Sequence, residues 1–279
     1  MKNSSKNIFD IKKKVVIISG GAGFLGSEFS LSLSTLGAIP IILDQNKKNL
    51  NSLKNKFKKK KLKGVFFEVD LLNDVKLNQI INQVVKKYNR IDCLINSAAY
   101  YSIGLEYKKN SLFEKFENYN FNVWQKSLSG NLSCYFKIIK AVSKHMLKKK
   151  TGSIINIASD VGIISPDHRI YEPNKKIKYK GVKFNTPLSY SVSKSGIISM
   201  TRYLATYWAK SGIRVNCISP AGVYKNHDKK FVEQLSERIP LGRMAKKHEF
   251  NGALIYLCSG ASSFVTGHNL VIDGGRTIW

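Results

Sequence analysis

The segment VVIISGGAGFLGSEF, residues 15–29, joins an apolar run to three spaced glycines and the start of a helical pattern. The β-branched run Val15–Ser19 is typical of a buried strand. Gly20, Gly23 and Gly26 follow it directly. Glycines at a strand-to-helix junction let the backbone approach a pyrophosphate, whose charge the helix N-terminus stabilises. The segment therefore predicts a dinucleotide-binding turn, with a tight turn that binds no ligand as the alternative.

Two acidic residues at the ends of later predicted strands indicate which dinucleotide is bound. Asp44 ends the second predicted strand, where its carboxylate can accept hydrogen bonds from the adenosine ribose hydroxyls. The same charge repels a 2′-phosphate, and the glycine turn has no lysine or arginine to offset it, although Lys47 and Lys48 are close. NAD is therefore favoured over NADP. Asp70, after the third strand, is either an acceptor for the adenine amino group or a helix N-cap.

Short β-rich runs alternate with amphipathic segments, which predicts an α/β fold with a doubly wound, Rossmann-type parallel sheet of about seven strands. The predicted strands are Val15 to Ser19, Ile39 to Leu43, Val65 to Val69, Ile91 to Ile95, Ser153 to Ala158, Ile213 to Ile218 and Asn269 to Ile272. Helical periodicity covers residues 121–149 and 188–210. No internal linker interrupts the sequence, so we expect a single domain over residues 1–279. The polar segment 166–187 contains three prolines and is expected to be an inserted loop.

Tyr190 and Lys194 form the candidate catalytic pair. They are four residues apart on a predicted helix, so their side chains lie on one face. A free phenol, with a pKa of about 10, exchanges protons poorly at neutral pH, and a nearby ammonium lowers that pKa. Tyr190 can then give a proton to a carbonyl oxygen or take one from an alcohol. Taken alone, the pair is better explained as two neighbouring residues on a helix surface.

Six motifs, in order along the chain, give this pair its context. They are SGGAGFLG at Ser19–Gly26, NSAA at Asn96–Ala99, NLSCYF from Asn131, GSIINIASDVG ending at Gly162, YSVSK at Tyr190–Lys194 and RVNCISPAG at Arg214–Gly222. With them the chain resembles the short-chain dehydrogenase/reductase superfamily, in its one-domain branch, from about Val15 to Gly275. The resemblance implies an NAD(P)-dependent oxidoreductase that acts on CH–OH groups.

The resemblance also implies a role for individual residues. Ser159 donates a hydrogen bond to the substrate oxygen, and Tyr190 is the acid and base. Lys194 lowers the tyrosine pKa and binds the ribose, and Asn131 holds a water of the proton relay. The implied dinucleotide-binding residues are Gly20, Gly23, Phe24, Leu25, Gly26, Asp44, Asp70, Leu71, Asn96, Ala98, Tyr190, Lys194, Pro220, Gly222 and Val223. Taken singly, Ser159 is equally explained as a turn residue, Asn131 as a polar group inside a helix and Asn96 as a strand cap.

The insertion 166–187 is the main departure from the one-domain branch. It lengthens the interval between the predicted catalytic serine and tyrosine to 31 positions, from residue 159 to residue 190. We expect it to act as a substrate lid. Arg169 is expected to bind substrate, because its planar fork suits a phosphate or carboxylate. The alternative is that Arg169 pairs with Asp167 or Glu172 to order the loop.

Several functions fit the motifs. The sequences DHRIYE at 167–172 and RIPLGRM at 238–244 resemble bacterial reductases of surface-glycan or flagellin-glycan biosynthesis. The leading hypothesis is hydride transfer to or from a secondary alcohol or ketone of a sugar-like or phosphorylated substrate. The alternatives are a 3-oxoacyl thioester reductase and, from the glycine spacing, an NAD-retaining sugar-nucleotide epimerase or dehydratase. The insertion residues that favour a polyhydroxylated or anionic substrate are His168, Arg169, Lys175 and Lys176.

The formal net charge of +28 raises nucleic acid and anionic membranes as partners. The densest cluster, Lys54–Lys63, lies on a predicted helix and its exit, where a solvated face explains it, and no aromatic-basic motif accompanies it. The apolar run Val15–Ile18 is too short for a signal segment or a membrane span. We therefore expect a cytoplasmic enzyme with a small-molecule substrate and without nucleic-acid or membrane partners.

The remaining expectations concern the cysteines and the assembly. Each cysteine lies in an apolar stretch without metal-ligand spacing, which predicts buried reduced thiols and no metal site. These cysteines are Cys93, Cys134, Cys217 and Cys258. The family resemblance implies a homotetramer or homodimer. The apolar residues expected on the outer faces of the two long helices are Phe136, Tyr203 and Tyr207.

Overall fold

A parallel β-sheet of seven strands forms the centre of the protein, in a computed structural model that describes residues 7–100, 116–171, 178–179, 182–183 and 185–279. The strands are Val15–Ser19 (β1), Ile39–Asp44 (β2), Val65–Glu68 (β3), Cys93–Asn96 (β4), Gly152–Ile157 (β5), Lys178–Tyr179 (β6), Val182–Lys183 (β7), Ile213–Pro220 (β8) and Asn269–Ile272 (β9). The sheet order is β3-β2-β1-β4-β5-β8-β9, while β6 and β7 form a separate antiparallel pair. The predicted doubly wound α/β sheet is confirmed, and the predicted strand ends are met within two residues.

Helices cover both faces of this sheet. They are Phe24–Thr35 (α1), Lys47–Lys59 (α2), Asp74–Tyr88 (α3), Phe121–Leu128 (α4), Cys134–Lys149 (α5), Leu188–Tyr207 (α6), Lys229–Ser236 (α7) and Asn251–Cys258 (α8). Successive side chains of a strand point to opposite faces. Val15 and Ile17 of β1 therefore join the core formed with α3, α5 and α6, while Val16 and Ile18 join the core formed with α1 and α8. A sheet buried on both faces needs strands that are apolar throughout.

The helix predicted over residues 121–149 contains a π turn near its centre. Residues Ser129–Ser133, between α4 and α5, form one π-helical turn. Inside this turn the Asn131 side chain donates to the backbone oxygen of Ser127 at 2.9 Å. Such turns insert an extra residue into a helix and occur frequently at functional sites. The predicted helix over residues 121–149 is therefore confirmed, and the π turn at its centre is a feature that the periodicity did not predict.

The insertion 166–187 contains some regular structure. His168–Tyr171 forms a 3₁₀ turn, in which Ile170 is buried against α7. The short strands β6 and β7 pair in the antiparallel direction further along. Three insertion residues named in the sequence predictions, Glu172, Lys175 and Lys176, lie outside the described residues. The start of the insertion is thus attached to the body of the domain by apolar contacts.

The surface agrees with the expectation for the lysine cluster. Helix α2 buries Leu50, Leu53 and Phe57, and the lysines of the stretch Lys54–Lys63 are exposed. All four cysteines are buried, as predicted. Among the residues that the structure describes, no helix combines the length and the apolarity needed to cross a membrane.

The glycine turn after β1 is packed too tightly for side chains. Gly20 has a φ of +62°, and a Cβ there would lie 2.5 Å from the Cα of Ala98. A Cβ on Gly26 would lie 2.1 Å from the backbone oxygen of Gly20. Helix α1 can therefore pack onto the turn, and the turn can pack onto the chain leaving β4, only because these positions are glycines.

We predict that Gly20→Ala lowers the free energy of unfolding by at least about 1–3 kcal/mol, because alanine is strained at positive φ and its Cβ meets backbone atoms. Gly252→Ala on α8 is the matched control, since no atom lies within 4 Å of a Cβ there. It should leave stability within about 1 kcal/mol of the wild type or slightly above it. Urea unfolding of both variants tests this, and equal stabilities would contradict the tight turn.

Candidate active site

A cavity of about 1790 Å³ opens at the carboxyl ends of the parallel strands. It lies where the strand order reverses between β1 and β4, the usual ligand position in doubly wound sheets. All of the predicted dinucleotide-binding residues line it except Gly26 and Asn96. The predicted catalytic residues Ser159, Tyr190 and Lys194 line the same cavity. The structure thus brings the two halves of the predicted site together in one space.

The two acidic residues of the predicted adenosine end are held by backbone amides. Asp44 accepts hydrogen bonds from the amides of Ala22 at 3.1 Å and Asn46 at 2.9 Å. Burial raises its pKa, and these hydrogen bonds act in the opposite direction. Asp70 accepts from the amide of Leu72 at 2.9 Å. The N-cap of α3 is Asn73, so the alternative interpretation of Asp70 as that cap is wrong.

Asn96 was predicted to line the adenosine side, and the structure places it elsewhere. Its side chain is fully buried, donates to the Asn156 side chain at 2.9 Å and accepts from the Ser19 hydroxyl at 3.1 Å. It therefore links β4 to β5 and β1 beneath the cavity. The residues that reach the cavity from this strand end are Ser97, Ala98 and Ala99. Gly26, also absent from the cavity wall, acts through its close packing on Gly20.

Lys194 lies one helical turn after Tyr190 on α6, and both side chains point toward β5. The Lys194 ammonium nitrogen donates to the backbone oxygen of Ile157 at 2.8 Å and lies 5.5 Å from the centre of the Tyr190 ring. Burial lowers the pKa of Lys194 to about 8. The lysine is thus fixed at the base of the cavity in a site that disfavours its charge.

The Tyr190 phenol is shifted in the direction opposite to the one expected. Its pKa is raised to about 12, mainly by burial and also by the charge of Asp160, while a hydrogen bond with Ser159 acts in the opposite direction. Desolvation of a phenolate in this site therefore outweighs the favourable effect expected from Lys194. In this environment Tyr190 is held as a neutral phenol, which is the form that donates a proton.

Asn131 does not line the cavity, although its neighbours Ser129 and Gly130 do. Its amide nitrogen donates to the backbone oxygens of Ser127 and Tyr100, and its side-chain oxygen accepts from the Tyr100 amide at 3.0 Å. These bonds hold the π turn of residues 129–133 against the end of β4. A role for Asn131 in a proton relay stays a prediction.

Arg169 is placed away from the cavity. Its Nε and Nη2 atoms bind the two oxygens of Asp167 at 2.8 and 3.0 Å, and its side chain is 76% exposed. Arg238 also binds Asp167, at 2.6 Å. The geometry therefore supports the alternative in which Arg169 orders the loop by pairing with Asp167. Among the described residues of the insertion, those that line the cavity are Ile170, Tyr171 and Thr186.

The sequence predictions missed a buried ion pair beside the predicted catalytic serine, Ser159. The Asp160 carboxylate accepts a hydrogen bond from the Ser159 hydroxyl at 2.8 Å and forms an ion pair with the Arg276 guanidinium. Asp160 is 3% exposed and Arg276 is 8% exposed, and both line the cavity. The only available signals were an acidic residue directly after the predicted serine and an arginine after the final Asp-Gly-Gly.

Sequence comparison with known proteins gives consistent results. A family model described as short chain dehydrogenase matches residues 14–171, and one described as enoyl-(acyl carrier protein) reductase matches residues 178–277. An NAD-dependent glycerol dehydrogenase of Listeria innocua is 29% identical, over 97% of this chain and 96% of its own length. A 3-oxoacyl-[acyl-carrier-protein] reductase of Thermotoga maritima is 31% identical, over 96% and 99%. A post-translational flagellin modification protein A of Campylobacter coli is 28% identical, over 95% and 98%.

A solved structure is similar over nearly the whole chain. A short chain dehydrogenase from Leptospira borgpetersenii with bound NAD⁺ is 32% identical, superposes with a TM-score of 0.81 and covers 98% of this chain and 96% of its own. The expected family resemblance, including the likeness to a flagellin-modification protein, is confirmed. The protein belongs to the short-chain dehydrogenase/reductase family of oxidoreductases.

Proposed function

We propose that the protein is an NAD-dependent oxidoreductase that transfers a hydride between the nicotinamide and a secondary alcohol or ketone of a sugar-like substrate. One observation carries this proposal. Ser159, Tyr190 and Lys194 meet in a cavity that also reaches Gly20 and Asp44. We place the reaction in glycan biosynthesis, which the likeness to a flagellin-modification protein supports.

The residues present fit a nicotinamide dinucleotide. Gly20 and Gly26 leave no room for a Cβ, so the backbone of the turn is bare where a pyrophosphate approaches the N-terminus of α1. Asp44 presents its carboxylate to the cavity for the ribose hydroxyls. When bound, the dinucleotide supplies or accepts the hydride.

The protein's own groups handle the proton. The neutral Tyr190 phenol donates its proton to the oxygen of a bound ketone, and the phenolate form accepts the proton of a bound alcohol. The phenolate is costly in this buried site, so a charged Lys194 ammonium 5.5 Å from the ring centre stabilises it during the reaction. Ser159 hydrogen-bonds to Tyr190, and its hydroxyl must turn away from Asp160 to donate to the oxygen of a bound ketone.

A second candidate function is reduction of a 3-oxoacyl thioester. The Thermotoga relative and the second family model favour it. The charged pair Asp160–Arg276 in the cavity wall disfavours it, because an acyl chain needs an apolar surface. We also propose a homodimer or homotetramer, since Phe136, Tyr203 and Tyr207 are exposed on α5 and α6.

A substrate screen tests the proposed function directly. The purified enzyme is assayed with glycerol, threitol, xylitol, mannitol and gluconate in the presence of NAD or NADP. It is also assayed with acetoacetyl-CoA in the presence of NADH or NADPH. The ultraviolet absorbance of reduced nicotinamide reports turnover. Oxidation of at least one polyhydroxylated compound supports the proposal, whereas turnover of acetoacetyl-CoA alone would establish the second candidate.

Tyr190→Phe should lower kcat by about 10²- to 10⁴-fold, because it removes the group that transfers the proton. The affinity for NAD, measured by fluorescence titration, should stay within about threefold of the wild type, since only one hydroxyl is lost. Tyr203→Phe, an exposed tyrosine on the same helix, is the matched control and should keep full activity. Retention of more than about a tenth of the wild-type rate by Tyr190→Phe would exclude the assigned role.

Lys194→Met should abolish activity and yet stabilise the protein near neutral pH. The folded-state pKa of Lys194 is lowered to about 8, so below that pH the folded protein carries a buried charge that opposes folding. As the pH rises from about 8 toward the ordinary lysine value of about 10.4, this unfavourable effect fades. The advantage of Lys194→Met over the wild type should therefore be larger at about pH 7 than at about pH 10.

Urea unfolding without added dinucleotide measures this difference. Lys140→Met, an exposed position on α5, is the control and should change stability equally at both pH values. A loss of stability in Lys194→Met that is greater at neutral than at alkaline pH would contradict the buried-charge argument.

Asp44→Asn should shift the cofactor preference toward NADP by about tenfold or more in kcat/KM, because it removes a charge that repels the 2′-phosphate. Asp70→Asn is the matched control, since Asp70 lies at the end of the next strand and is not assigned to the ribose. Steady-state kinetics with both dinucleotides decides the point. A wild-type enzyme that works equally well with NADP would refute the assignment of Asp44.

A further inference from the structure

The family resemblance assigns no role to either residue of the charged pair at the substrate end of the cavity. Asp160 follows the catalytic serine directly, and Arg276 lies in the segment after β9, so the pair joins two distant parts of the chain. Both side chains are more than nine-tenths buried. Isolated charges are costly at such depth, and pairing makes their burial possible.

The Asp160 carboxylate is fixed by three donors. The Ser159 hydroxyl and the Val161 amide both bind its Oδ1 atom at 2.8 Å, and Arg276 binds its Oδ2 atom. The Ser159 proton is therefore directed toward Asp160, and the serine oxygen keeps its lone pairs for Tyr190 or for a substrate hydroxyl. Asp160 thus sets the orientation of a residue that contacts the reacting oxygen.

Arg276 keeps most of its hydrogen-bonding capacity for the cavity. A guanidinium has five N–H donors, and the single hydrogen bond found between this one and the described side chains is the bond to Asp160. Arg276 lines the cavity, as do Tyr171 and Phe231, whose rings stack at 5.5 Å. The Tyr171 phenol lies within electrostatic reach of both charges. The pair and an aromatic surface thus form one wall.

We propose that the Asp160–Arg276 pair is a specificity-determining element that recognises hydroxyl groups next to the reacting carbon of a neutral polyol or sugar. The inference rests on the proposed function and deepens it. A hydroxyl both donates and accepts, so vicinal hydroxyls satisfy the guanidinium and the carboxylate side by side. A carboxylate or phosphate on the substrate would instead compete with Asp160 for Arg276, and the negative charge of Asp160 would repel it.

The test compares a polyol with a hydroxyl-poor alcohol in the NAD-loaded enzyme. The probes are the best polyol among threitol, xylitol and mannitol, and cyclohexanol, which has one hydroxyl. Arg276→Met should raise KM for the polyol about ten- to a hundredfold, the effect of losing hydrogen bonds to a charged group. The kcat/KM for cyclohexanol should fall much less than that for the polyol, since only the polyol has further hydroxyls to contact Arg276 and Asp160 keeps its bonds to Ser159 and Val161.

Arg276→Lys is a second, more conservative variant in case Arg276→Met does not fold. It keeps the positive charge and the ion pair with Asp160 but lacks the planar guanidinium group. It should raise the polyol KM while leaving the melting temperature and the NAD affinity unchanged. If Arg276→Met does not fold, this variant decides the matter. Asp160→Asn should instead lower kcat for both probes, because it loosens Ser159.

Two failures are distinguishable. If the wild type reduces acetoacetyl-CoA and oxidises none of the polyols, the result contradicts both the proposed function and this inference. If the wild type oxidises polyols while the Arg276 variants leave the polyol-to-cyclohexanol ratio of kcat/KM unchanged, the proposed function stands and the specificity role is overturned. An equal loss for both probes also overturns it, because a merely structural role predicts that result.

Discussion

The parallel pairing of β1 with both β2 and β4 is the constraint on which the rest of the structure depends. In register, Ser19 lies beside Leu43 on one side and Asn96 on the other, so three strand ends stop at the same edge. The glycine turn leaves this edge and must pass within contact of Ala98. Any side chain at Gly20 would separate the turn from the chain leaving β4. The cavity, the position of Asp44 and the approach of α1 all follow from that contact.

The same edge brings the catalytic groups into a place that is unfavourable for their charges. Burial raises the pKa of Tyr190 and lowers that of Lys194, so both groups are held closer to neutrality than in water. Stability and catalysis therefore oppose each other on α6. The helix tolerates this because its other buried residues, such as Ile197 and Ala205, belong to the large core beneath the sheet.

Sequence patterns predicted what depends on local chemistry and missed what depends on distant contacts. The strands, the glycine turn and the spacing of Tyr190 and Lys194 follow from periodicity and from motifs. The π turn could not be predicted in this way, because it depends on a distant residue. Tyr100, about thirty residues earlier in the chain, packs against Gly130 and forms hydrogen bonds with Asn131. Asn96 was assigned to the dinucleotide from the family resemblance, and Arg169 to the substrate because its planar guanidinium suits a phosphate or carboxylate. In the structure their hydrogen bonds join strands and order a loop, which no local pattern distinguishes from binding.

The Asp160–Arg276 pair is hard to explain by stability. A buried ion pair recovers in mutual attraction only what its desolvation costs, and apolar replacements of similar volume are often neutral or stabilising. The surrounding fold offers such replacements readily, since Ile157 and Val161 flank the same turn and are apolar. The pair contributes little to stability, but it faces the cavity and fixes the hydroxyl of Ser159. Its physical role is therefore at the substrate end of the site. Its charges fit the proposed recognition of polar groups beside the reacting carbon, a role that the family resemblance assigns to neither residue.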